Sequence, residues 1–428
     1  MSSDFKALFV LPSFNLSGAV DFIVDLADAI VSPERDVTLL ALDGHTQASR
    51  PPGSAVQVLH GMDADGETPN RFPGPIRRIR DSLRIFQAVL RAVRASDVVF
   101  LTWENGRALT LPAIAAMLLG KPTIAIVQNN IQRSIRGSRA RMQRLVARWI
   151  YNRCNAVACV SHDLVPLLED FGVSRDKLVG IPNAINVDRI QALARAPAPD
   201  CLAELDRPYV LGVGRLADQK GFDLLIHAHA RVIERGFEHD LALIGFGPDK
   251  YALRALAARL GVQDSVKLLG FQPNPYAAMQ RALLFCLSSR YEGRALTLAE
   301  AAAIGVPTVA ANCPTGPREV LADGRFGTLV PPEDPVALAN AIEAHLRDPA
   351  PLKAKAREAA SHAQQYSIHA CASLYIRLVH ECLGWRYPAT DLSVGDALAI
   401  GDSRMAANQE LVQVVKEAEP QDEIERVA

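Results

Sequence analysis

Short apolar runs alternate with amphipathic helical segments along most of the chain. In the first half these runs are KALFVLP, DVTLLAL, DVVFLT, PTIAIVQ and AVACVS. Each is rich in β-branched or aliphatic residues, and helical periodicity lies between one run and the next. This alternation predicts a parallel sheet covered by helices.

The same pattern restarts in the second half, with the runs PYVLGVG, LALIGFG, SVKLLGF, LLFCLSS, PTVAA and GTLVPP. The segment ARAPAPD between the halves lacks apolar periodicity, which favours a domain junction there. We therefore predict an α/β protein with two Rossmann-like domains that face each other across a cleft. The expected ligand site lies at the carboxyl ends of the strands. The predicted boundaries are 1–195 for the N-terminal domain, 196–365 for the C-terminal domain, and 366–428 for a helix returning to the N-terminal domain and an acidic tail.

Length and composition agree with two domains. The chain has 428 residues, of which 49% are hydrophobic, and domains have about 100 to 200 residues each. Its seven cysteines are scattered, without the spacing of a zinc site, which favours reduced thiols in a cytoplasmic protein. The longest apolar stretch, ALTLPAIAAMLLG, is shorter than the roughly 20 residues that span a bilayer, so we expect a soluble or peripheral protein.

The stretch SSRYEGRALTLAE, residues 288–300, carries two glutamates in a context that suits a phosphorylated ligand. It follows a predicted buried strand, so Glu292 lies at the carboxyl end of that strand and Glu300 lies in the next helix. The first turn of this helix, near Leu296 and Thr297, presents backbone N–H groups that suit a phosphate. The two carboxylates then flank the phosphate and can accept hydrogen bonds from sugar hydroxyls.

A second loop, in LGVGRLADQKGFDLLI, supplies positive charge. Gly214 allows close backbone approach, and Arg215 and Lys220 can clamp a diphosphate. GVGRLA also fits the dinucleotide fingerprint GxGxxA. A dehydrogenase is disfavoured because the expected acidic residue is not at a clear strand end, and because the fingerprint does not require these two cations.

These segments resemble the C-terminal domain of retaining GT-B glycosyltransferases, in particular glycosyltransferase family 4. The resemblance runs from about residue 208 to residue 337, through GVGRLADQKGFDLL, LIGFGPD, LLGF, LSSRYEGRALTLAEAAAIGVPTVAANCPTGPREVL and GTLVPPEDP. It is weaker in the first half, where it is carried by LPSFNLSGAVDFIVDLADAI, ACVSHDLVPLLEDFGV and IPNAIN.

The resemblance implies a role for each matching residue. Arg215 and Lys220 would hold the diphosphate of a sugar nucleotide and stabilise the departing nucleotide. Glu292 would lie close to the donor sugar, and these three residues would form the catalytic set. Glu300 would bind the nucleotide ribose, and Gly18 would lie in a loop that approaches the phosphates and the acceptor.

Two features depart from the family pattern. The N-terminal loop reads SGAVD, with one glycine, and the histidine common after the strand IAIVQ is replaced by Gln128, Asn129 and Asn130. Retention in which the leaving phosphate accepts the proton needs no side-chain base. Asn129 is then a candidate for orienting the acceptor or the donor sugar through its amide.

The expected activity is transfer of a sugar from a nucleotide-diphosphate donor to a glycan or lipid-linked glycan, in lipopolysaccharide, capsule or exopolysaccharide biosynthesis. No cofactor and no metal are expected, because Asp63 and Asp65 imitate a DxD motif but lie in a polar loop. The alternatives are a same-fold sugar-nucleotide epimerase, a small-sugar synthase, or a non-catalytic sugar-nucleotide-binding protein. A nucleic-acid partner is disfavoured because the basic segment lacks interleaved aromatic residues.

Charge is concentrated in the first half of the chain. Between residues 71 and 153, fifteen arginines and one lysine stand against only Asp81, Asp97 and Glu104, which indicates an anionic partner. Two helical arginine stripes are predicted, one at Arg77, Arg80, Arg84, Arg91 and Arg94 and the other at Arg141, Arg144 and Arg148. Our hypothesis is that they dock the protein on the anionic inner face of the cytoplasmic membrane. The alternative is a solvated basic face.

Overall fold

The structure is a computed structural model that describes residues 5–14, 18–43, 52–60, 75–135 and 137–385, without the side chains of 75–81, 133–134 and 365–366. These residues form two compact units. Unit 1 contains the described residues up to Val160, then Val165–Ala184, and those from Ser367 onward. Unit 2 contains Ser161–Leu164 and Ile185–Tyr366.

Unit 1 is built on a parallel sheet that has seven strands within the described residues. They are β1 (Phe5–Leu11), β2 (Arg35–Ala41), β3 (Gln57–His60), β4 (Val98–Leu101), β5 (Thr123–Val127), β6 (Ala156–Cys159) and β7 (Leu178–Gly180). Their order is β3-β2-β1-β4-β5-β6-β7. The connecting helices are α1 (Gly18–Ile30), α2 (Pro75–Ala95), α3 (Gly106–Leu119), α4 (Ile131–Ser134), α5 (Ala140–Tyr151) and α6 (Leu164–Asp170).

Unit 2 repeats this architecture with six described strands. They are β8 (Tyr209–Val213), β9 (Asp240–Ile244), β10 (Val266–Gly270), β11 (Leu284–Leu287), β12 (Thr308–Ala311) and β13 (Thr328–Val330). Their order is β10-β9-β8-β11-β12-β13, and all pairs are parallel. The helices are α7 (Val187–Ala194), α8 (Phe222–Glu234), α9 (Lys250–Arg259), α10 (Tyr276–Met279), α11 (Leu296–Ile304), α12 (Pro317–Val320), α13 (Pro335–Arg347) and α14 (Ala350–His362).

The last described helix, α15 (Ile368–Cys382), belongs to unit 1 and packs against α1. Its inner face buries Tyr375 and Val379, and the ring of His380 meets Phe5 of β1 edge to face at 5.8 Å. The chain therefore completes unit 1 only after it has built unit 2.

Both sheets place their first and fourth strands side by side, which is the strand order of a doubly wound Rossmann fold. The central strands are buried because helices cover both faces. In unit 1, Phe9 of β1 lies opposite Phe100 of β4, and their rings stack at 4.2 Å. The loops that follow β1 and β4, and those that follow β8 and β11, thus leave each sheet where its strand order reverses. Ligands of such folds bind at this point.

The apolar face predicted for α2 is only partly the buried one. The sequence predicts an apolar stripe through Ile79, Leu83, Phe86, Leu90 and Val93 at helical spacing. Val93 is fully buried, but Leu83 is 57% exposed, and Ile85 and Val89, outside the stripe, are fully buried. Two overlapping apolar stripes share Val93, and packing in unit 1 buries the one that contains Ile85 and Val89. No described helix is long and apolar enough to cross a membrane.

Candidate active site

The carboxyl edge of the unit 2 sheet brings together most of the residues that the sequence singled out. Strand β8 ends at Val213 and is followed by Gly214, Arg215 and Lys220. Its neighbour β11 ends at Leu287 and is followed by the loop that carries Glu292. The two loops therefore start side by side at the point where the strand order reverses.

Lys220 and Glu292 form a largely buried ion pair. Lys220 Nζ lies 2.6 Å from Glu292 Oε1, and the two side chains are 17% and 7% exposed. The Ser289 hydroxyl donates to the same oxygen at 2.6 Å, and the Thr315 hydroxyl donates to the backbone carbonyl of Glu292. The ion pair and the Ser289 bond fix the carboxylate at the sheet edge, and the Thr315 bond fixes the backbone of Glu292.

The loop after β8 reaches this position because it is bonded to the loop after β11. Lys220 ends a single 3₁₀ turn, and Gly221 follows in the left-handed conformation with φ 59°. A side chain at Gly221 would collide with the carbonyl oxygen of Ser288. The Ser288 hydroxyl donates to the Lys220 carbonyl at 2.9 Å, and Gln219 Nε2 donates to the Tyr291 carbonyl at 3.1 Å. Glycine at 221 allows this close approach.

Gly214 and Gly245 let two further backbones touch at the same edge. A side chain at Gly245, just after β9, would collide with the Gly214 carbonyl oxygen, and one at Gly214 would crowd the side chain of Lys220 at 3.1 Å. The glycines thus act through backbone and side-chain packing around Lys220.

Arg215 lies in a different environment from Lys220. It is exposed, and it forms no ion pair with any residue that the structure describes. The two cations predicted to clamp a diphosphate are therefore not equivalent, since one is held by a carboxylate and the other is in solvent.

Helix α11 begins next to this pair. Ala295 precedes it in the left-handed conformation with φ 59°, and the helix closes at Gly305. The buried hydroxyl of Thr297, in the first turn, has no hydrogen-bond partner among the described residues. Glu300 is half-buried and accepts a hydrogen bond from the Tyr276 hydroxyl at 3.3 Å. Because an unpaired buried hydroxyl costs free energy, Thr297 marks a place where a ligand can supply the missing partner.

The sequence did not single out Arg290. Its ion pair with Asp223, called the Arg290 clasp below, connects the loop after β11 to the start of α8. Its guanidinium group binds both carboxylate oxygens of Asp223, at 2.8 and 2.6 Å. Burial opposes ionisation of Asp223, but the hydrogen bonds and charge of Arg290 outweigh it and lower the pKa of this carboxyl group. Arg290 therefore holds the loop in which Glu292 lies.

Arg294 was also missed, and it forms a second buried ion pair, with Glu319 at the start of α12. Glu319 also accepts hydrogen bonds from the Ser161 hydroxyl at 2.6 Å and from the backbone N–H of His162 at 3.2 Å. Burial acts to raise the pKa of Glu319, but the charge of Arg294, the proximity of His162 and the hydrogen bonds from Ser161 and Arg294 outweigh it, so the net shift of the pKa is downward.

In unit 1, the carboxyl edge of the sheet holds a buried carboxyl group, Glu104, that the sequence did not identify as a site. It follows β4 and accepts a hydrogen bond from the backbone N–H of Gln128 at 2.8 Å. The backbone and side chain of Asn129 also donate to it. Burial outweighs these bonds and raises the pKa of Glu104 to about 7. The available signal was a lone acidic residue after a buried strand, within the most basic segment of the chain.

The two unit 1 candidates lie around the same edge. Gly18 is the exposed first residue of α1, and Gln128 Nε2 donates to the carbonyl of the adjacent Ala19 at 3.4 Å. Asn129 is half-buried, with its amide group on Glu104. The structure thus separates the predicted site residues by unit, with these two in unit 1 and the others in unit 2.

The remaining polar clusters are of a different kind. His229 is buried between His239 at 3.0 Å and Ser265 at 2.8 Å, and burial lowers its pKa to about 3, so this neutral chain of hydrogen bonds belongs to the core of unit 2. Asp63 and Asp65 lie outside the described residues. No group of three potential metal-ligating side chains occurs among those that the structure describes.

Comparison with known protein families assigns both halves of the chain. Residues 16–189 match the family described as Glycosyltransferase Family 4, and residues 200–363 match Glycosyl transferases group 1. Each half of the chain thus resembles a glycosyltransferase family, and the two doubly wound sheets have the architecture of the GT-B fold. The predicted fold is confirmed.

Two curated relatives show the range of the class. The chain is 32% identical, over 185 residues, to a GDP-mannose-dependent alpha-(1-6)-phosphatidylinositol monomannoside mannosyltransferase of Mycolicibacterium smegmatis, which covers 40% of this chain and 47% of that protein. It is 29% identical, over 200 residues, to the lipopolysaccharide core biosynthesis glycosyltransferase LpsD of Rhizobium meliloti, with 47% and 56% covered. The chain thus matches about half the length of these relatives.

A solved structure matches over nearly the whole fold. HepE of Anabaena, crystallised with UDP and glucose, superposes with a TM-score of 0.70 over 88% of this chain and 100% of that chain, at 20% sequence identity. At this identity the likeness establishes the GT-B fold.

Proposed function

We propose that the protein is a retaining glycosyltransferase that moves a sugar from a nucleotide-diphosphate donor to a glycan acceptor in lipopolysaccharide, capsule or exopolysaccharide biosynthesis. The names of the relatives support this, since one is a GDP-mannose-dependent enzyme and another acts in lipopolysaccharide core biosynthesis. The fold neighbour HepE was crystallised with UDP and glucose.

The observation that carries the proposal is the Lys220–Glu292 pair, placed where the strand order of unit 2 reverses. A buried ion pair contributes little to stability compared with well-packed apolar residues, because both charges lose their water. Its position at the carboxyl edge, beside the unpaired hydroxyl of Thr297, suits a ligand that carries negative charge and hydroxyl groups.

Each donor group then has a proposed partner in unit 2. Lys220 and Arg215 bind the diphosphate, and the N–H groups of the first turn of α11 near Leu296 and Thr297 add partial positive charge. Glu292 accepts hydrogen bonds from the donor sugar, and Glu300 accepts them from the ribose. A charge-neutralising set of this kind stabilises the negative charge that develops on the leaving diphosphate.

Retention needs no side-chain base in this proposal. The bond between the anomeric carbon and the diphosphate oxygen breaks, and a bond from the acceptor oxygen to the same face of that carbon forms. The acceptor hydroxyl gives its proton to the departing phosphate oxygen. Asn129 of unit 1 is proposed to orient the acceptor, with its amide already fixed on Glu104.

The test is incubation with a panel of UDP-, GDP- and dTDP-sugars and cell-derived glycan acceptors, followed by mass spectrometry and by NMR of the new anomeric linkage. We expect one donor to be consumed, its sugar to appear on the acceptor, and the anomeric configuration to be kept. Glu292→Gln should abolish most turnover, whereas Glu358→Gln, at a remote ion pair with Arg325, should not.

Other outcomes would replace the proposal. A donor converted to its epimer without transfer would indicate an epimerase, and a product with inverted configuration would reject retention. Tight nucleotide-sugar binding without turnover on any acceptor would indicate a non-catalytic binding protein.

A further inference from the structure

Helix α5 of unit 1 exposes an apolar face to solvent. Met142, Leu145, Val146 and Trp149 are 66%, 59%, 37% and 46% exposed. Their spacing of three, four and seven residues from Met142 places all four on one side of the helix. A surface helix of a globular domain normally has charged or polar residues on its outer side, so this face calls for an explanation.

The same helix already has an inner apolar face. Ala147, Ile150 and Tyr151 are buried, and at about 100° per residue they point roughly away from the exposed stripe. Folding of unit 1 therefore does not account for the outer residues. Helix α3, which packs against α5, adds exposed Met117 and Leu118 near its end.

Arginine residues border the exposed stripe. Arg141 and Arg148 are exposed and form no ion pair with any described carboxylate. The guanidinium group of Arg153 stacks on the ring of Trp149 at 4.0 Å, which places a further cation at the end of the stripe.

A pocket lies along this border. It has a volume of about 380 Å³ and is lined by Arg141, Arg144, Leu145, Arg148 and Phe171. Arg144 is anchored, since it donates to the backbone carbonyls of Gln132 at 2.6 Å and Ile135 at 2.8 Å. The pocket thus combines three guanidinium groups with apolar walls, a chemistry that suits a phosphate group attached to an apolar chain.

We propose that the α5 face, defined as Met142, Leu145, Val146 and Trp149 with Arg141, Arg148 and Arg153, docks on an anionic lipid bilayer. The apolar side chains enter the boundary between headgroups and acyl chains, and the arginines bind lipid phosphates. This combination of an exposed apolar stripe with a basic border and a Trp residue is characteristic of helices that lie in the membrane interface.

The charge on the face selects the bilayer over a second copy of the chain. In a symmetric dimer the same patch meets itself, so its unpaired arginines would face one another. An anionic bilayer neutralises them instead. The second basic stripe is less suited to insertion into a bilayer. Arg84, Arg91 and Arg94 of α2 are exposed, but among its described side chains this helix exposes a single large apolar residue, Leu83.

Docking gives a transferase access to a lipid-linked acceptor, and in that respect the inference rests on the proposed function. Binding to lipid can be measured without turnover. The experiment is co-sedimentation of the full chain with phosphatidylcholine vesicles and with vesicles that also contain phosphatidylglycerol. We expect binding to the mixed vesicles, weakening with added salt.

Two double variants divide the face into its parts. Arg141→Glu with Arg148→Glu, and Leu145→Ser with Trp149→Ser, should each weaken binding to the mixed vesicles about tenfold or more. The matched control is Arg254→Glu with Arg259→Glu, on the exposed side of α9 in unit 2, which should bind as the parent protein does. Brominated phosphatidylglycerol should quench tryptophan emission, and Trp149→Phe should remove most of this quenching.

Several results would overturn the proposal. They are equal binding to neutral vesicles, absence of binding to mixed vesicles at low salt, equal losses in the α9 control, or a dimer by analytical ultracentrifugation that the α5 variants dissociate.

Turnover on a soluble acceptor fragment separates the docking proposal from the proposed function. If α5 variants keep that turnover but lose vesicle binding, docking is supported, and if the parent binds vesicles without any turnover, only the proposed function fails.

Discussion

Lys220 and Arg215 carry the same charge, but their surroundings predict different consequences of removal. Arg215→Ala removes an exposed cation, so donor kcat/KM should fall about tenfold while the melting temperature stays unchanged. Lys220→Ala should cause at least that kinetic loss and also lower the melting temperature, because Glu292 is buried and would lose its cation. Steady-state kinetics with calorimetry on both variants checks this. An unchanged kcat/KM in folded Lys220→Ala would exclude the diphosphate clamp.

Glu104 predicts a pH dependence of the stability of unit 1. Its pKa is about 7 in the folded protein, raised by burial from an ordinary value of 4.5. The unfolded chain therefore releases this proton first, so the contribution of Glu104 to stability is full below about pH 4.5 and is lost as pH rises through about 7. Glu104→Gln should flatten this part of the profile.

The measurement is chemical denaturation of the parent and Glu104→Gln at pH values across this window, and only their difference is interpreted. Protonation of His229 acts in the opposite direction, since its pKa is lowered, but it is common to both proteins. A constant difference between the two proteins over the window would show that Glu104 titrates normally.

At the scale of elements, Arg290 connects the loop after β11 to the start of α8. Asp223→Asn should weaken this clasp, lower the stability of unit 2 by about 1 kcal/mol and raise the donor KM, because the loop that carries Glu292 becomes less fixed. Glu343→Gln is the matched control. Glu343 lies on α13 and pairs with Arg235 at 2.5 Å, so this variant also removes a carboxylate that binds an arginine. It should leave the donor KM unchanged. Equal KM values in both variants would show that the clasp serves stability alone.

The elements themselves were predictable where one local signal dominated. The β-branched runs fixed the central strands, and Gly221 and Gly305 fall at turns that require positive φ. The face of α2 was not predictable, because two apolar stripes of similar regularity overlap in its sequence. The partners of Arg290 and Glu104 were also not predictable from the sequence, because the fold brings Asp223 and Gln128 to them from distant segments. Local periodicity contains no information about such pairs.

At the scale of the whole molecule, the order of the chain makes one unit depend on residues at both ends. Unit 1 is completed by α15, whose Tyr375 and Val379 are fully buried and which packs on α1. Ending the chain at residue 366 should therefore destabilise unit 1 more than unit 2, through exposure of the apolar surface that α15 covers. Hydrogen exchange read by mass spectrometry should show lost protection in β1 and α1, with β8 and β11 protected as before. Retained protection in unit 1 would show that α15 is dispensable.

The balance of charge over the chain also decides whether a metal ion is needed. If Arg215, Lys220 and the start of α11 neutralise the diphosphate, a divalent cation is not required for this purpose. Turnover should then be unaffected by EDTA and should change by less than about twofold on addition of Mg²⁺ or Mn²⁺. The described residues offer no three-ligand cluster, but Asp63 and Asp65 lie outside them. Asp63→Ala with Asp65→Ala is therefore the informative variant, and we expect it to keep parental turnover. The opposite result is activity that EDTA abolishes, that Mn²⁺ restores and that is lost in this variant. It would show that a metal ion held by the polar loop binds the diphosphate and that Lys220 only positions Glu292.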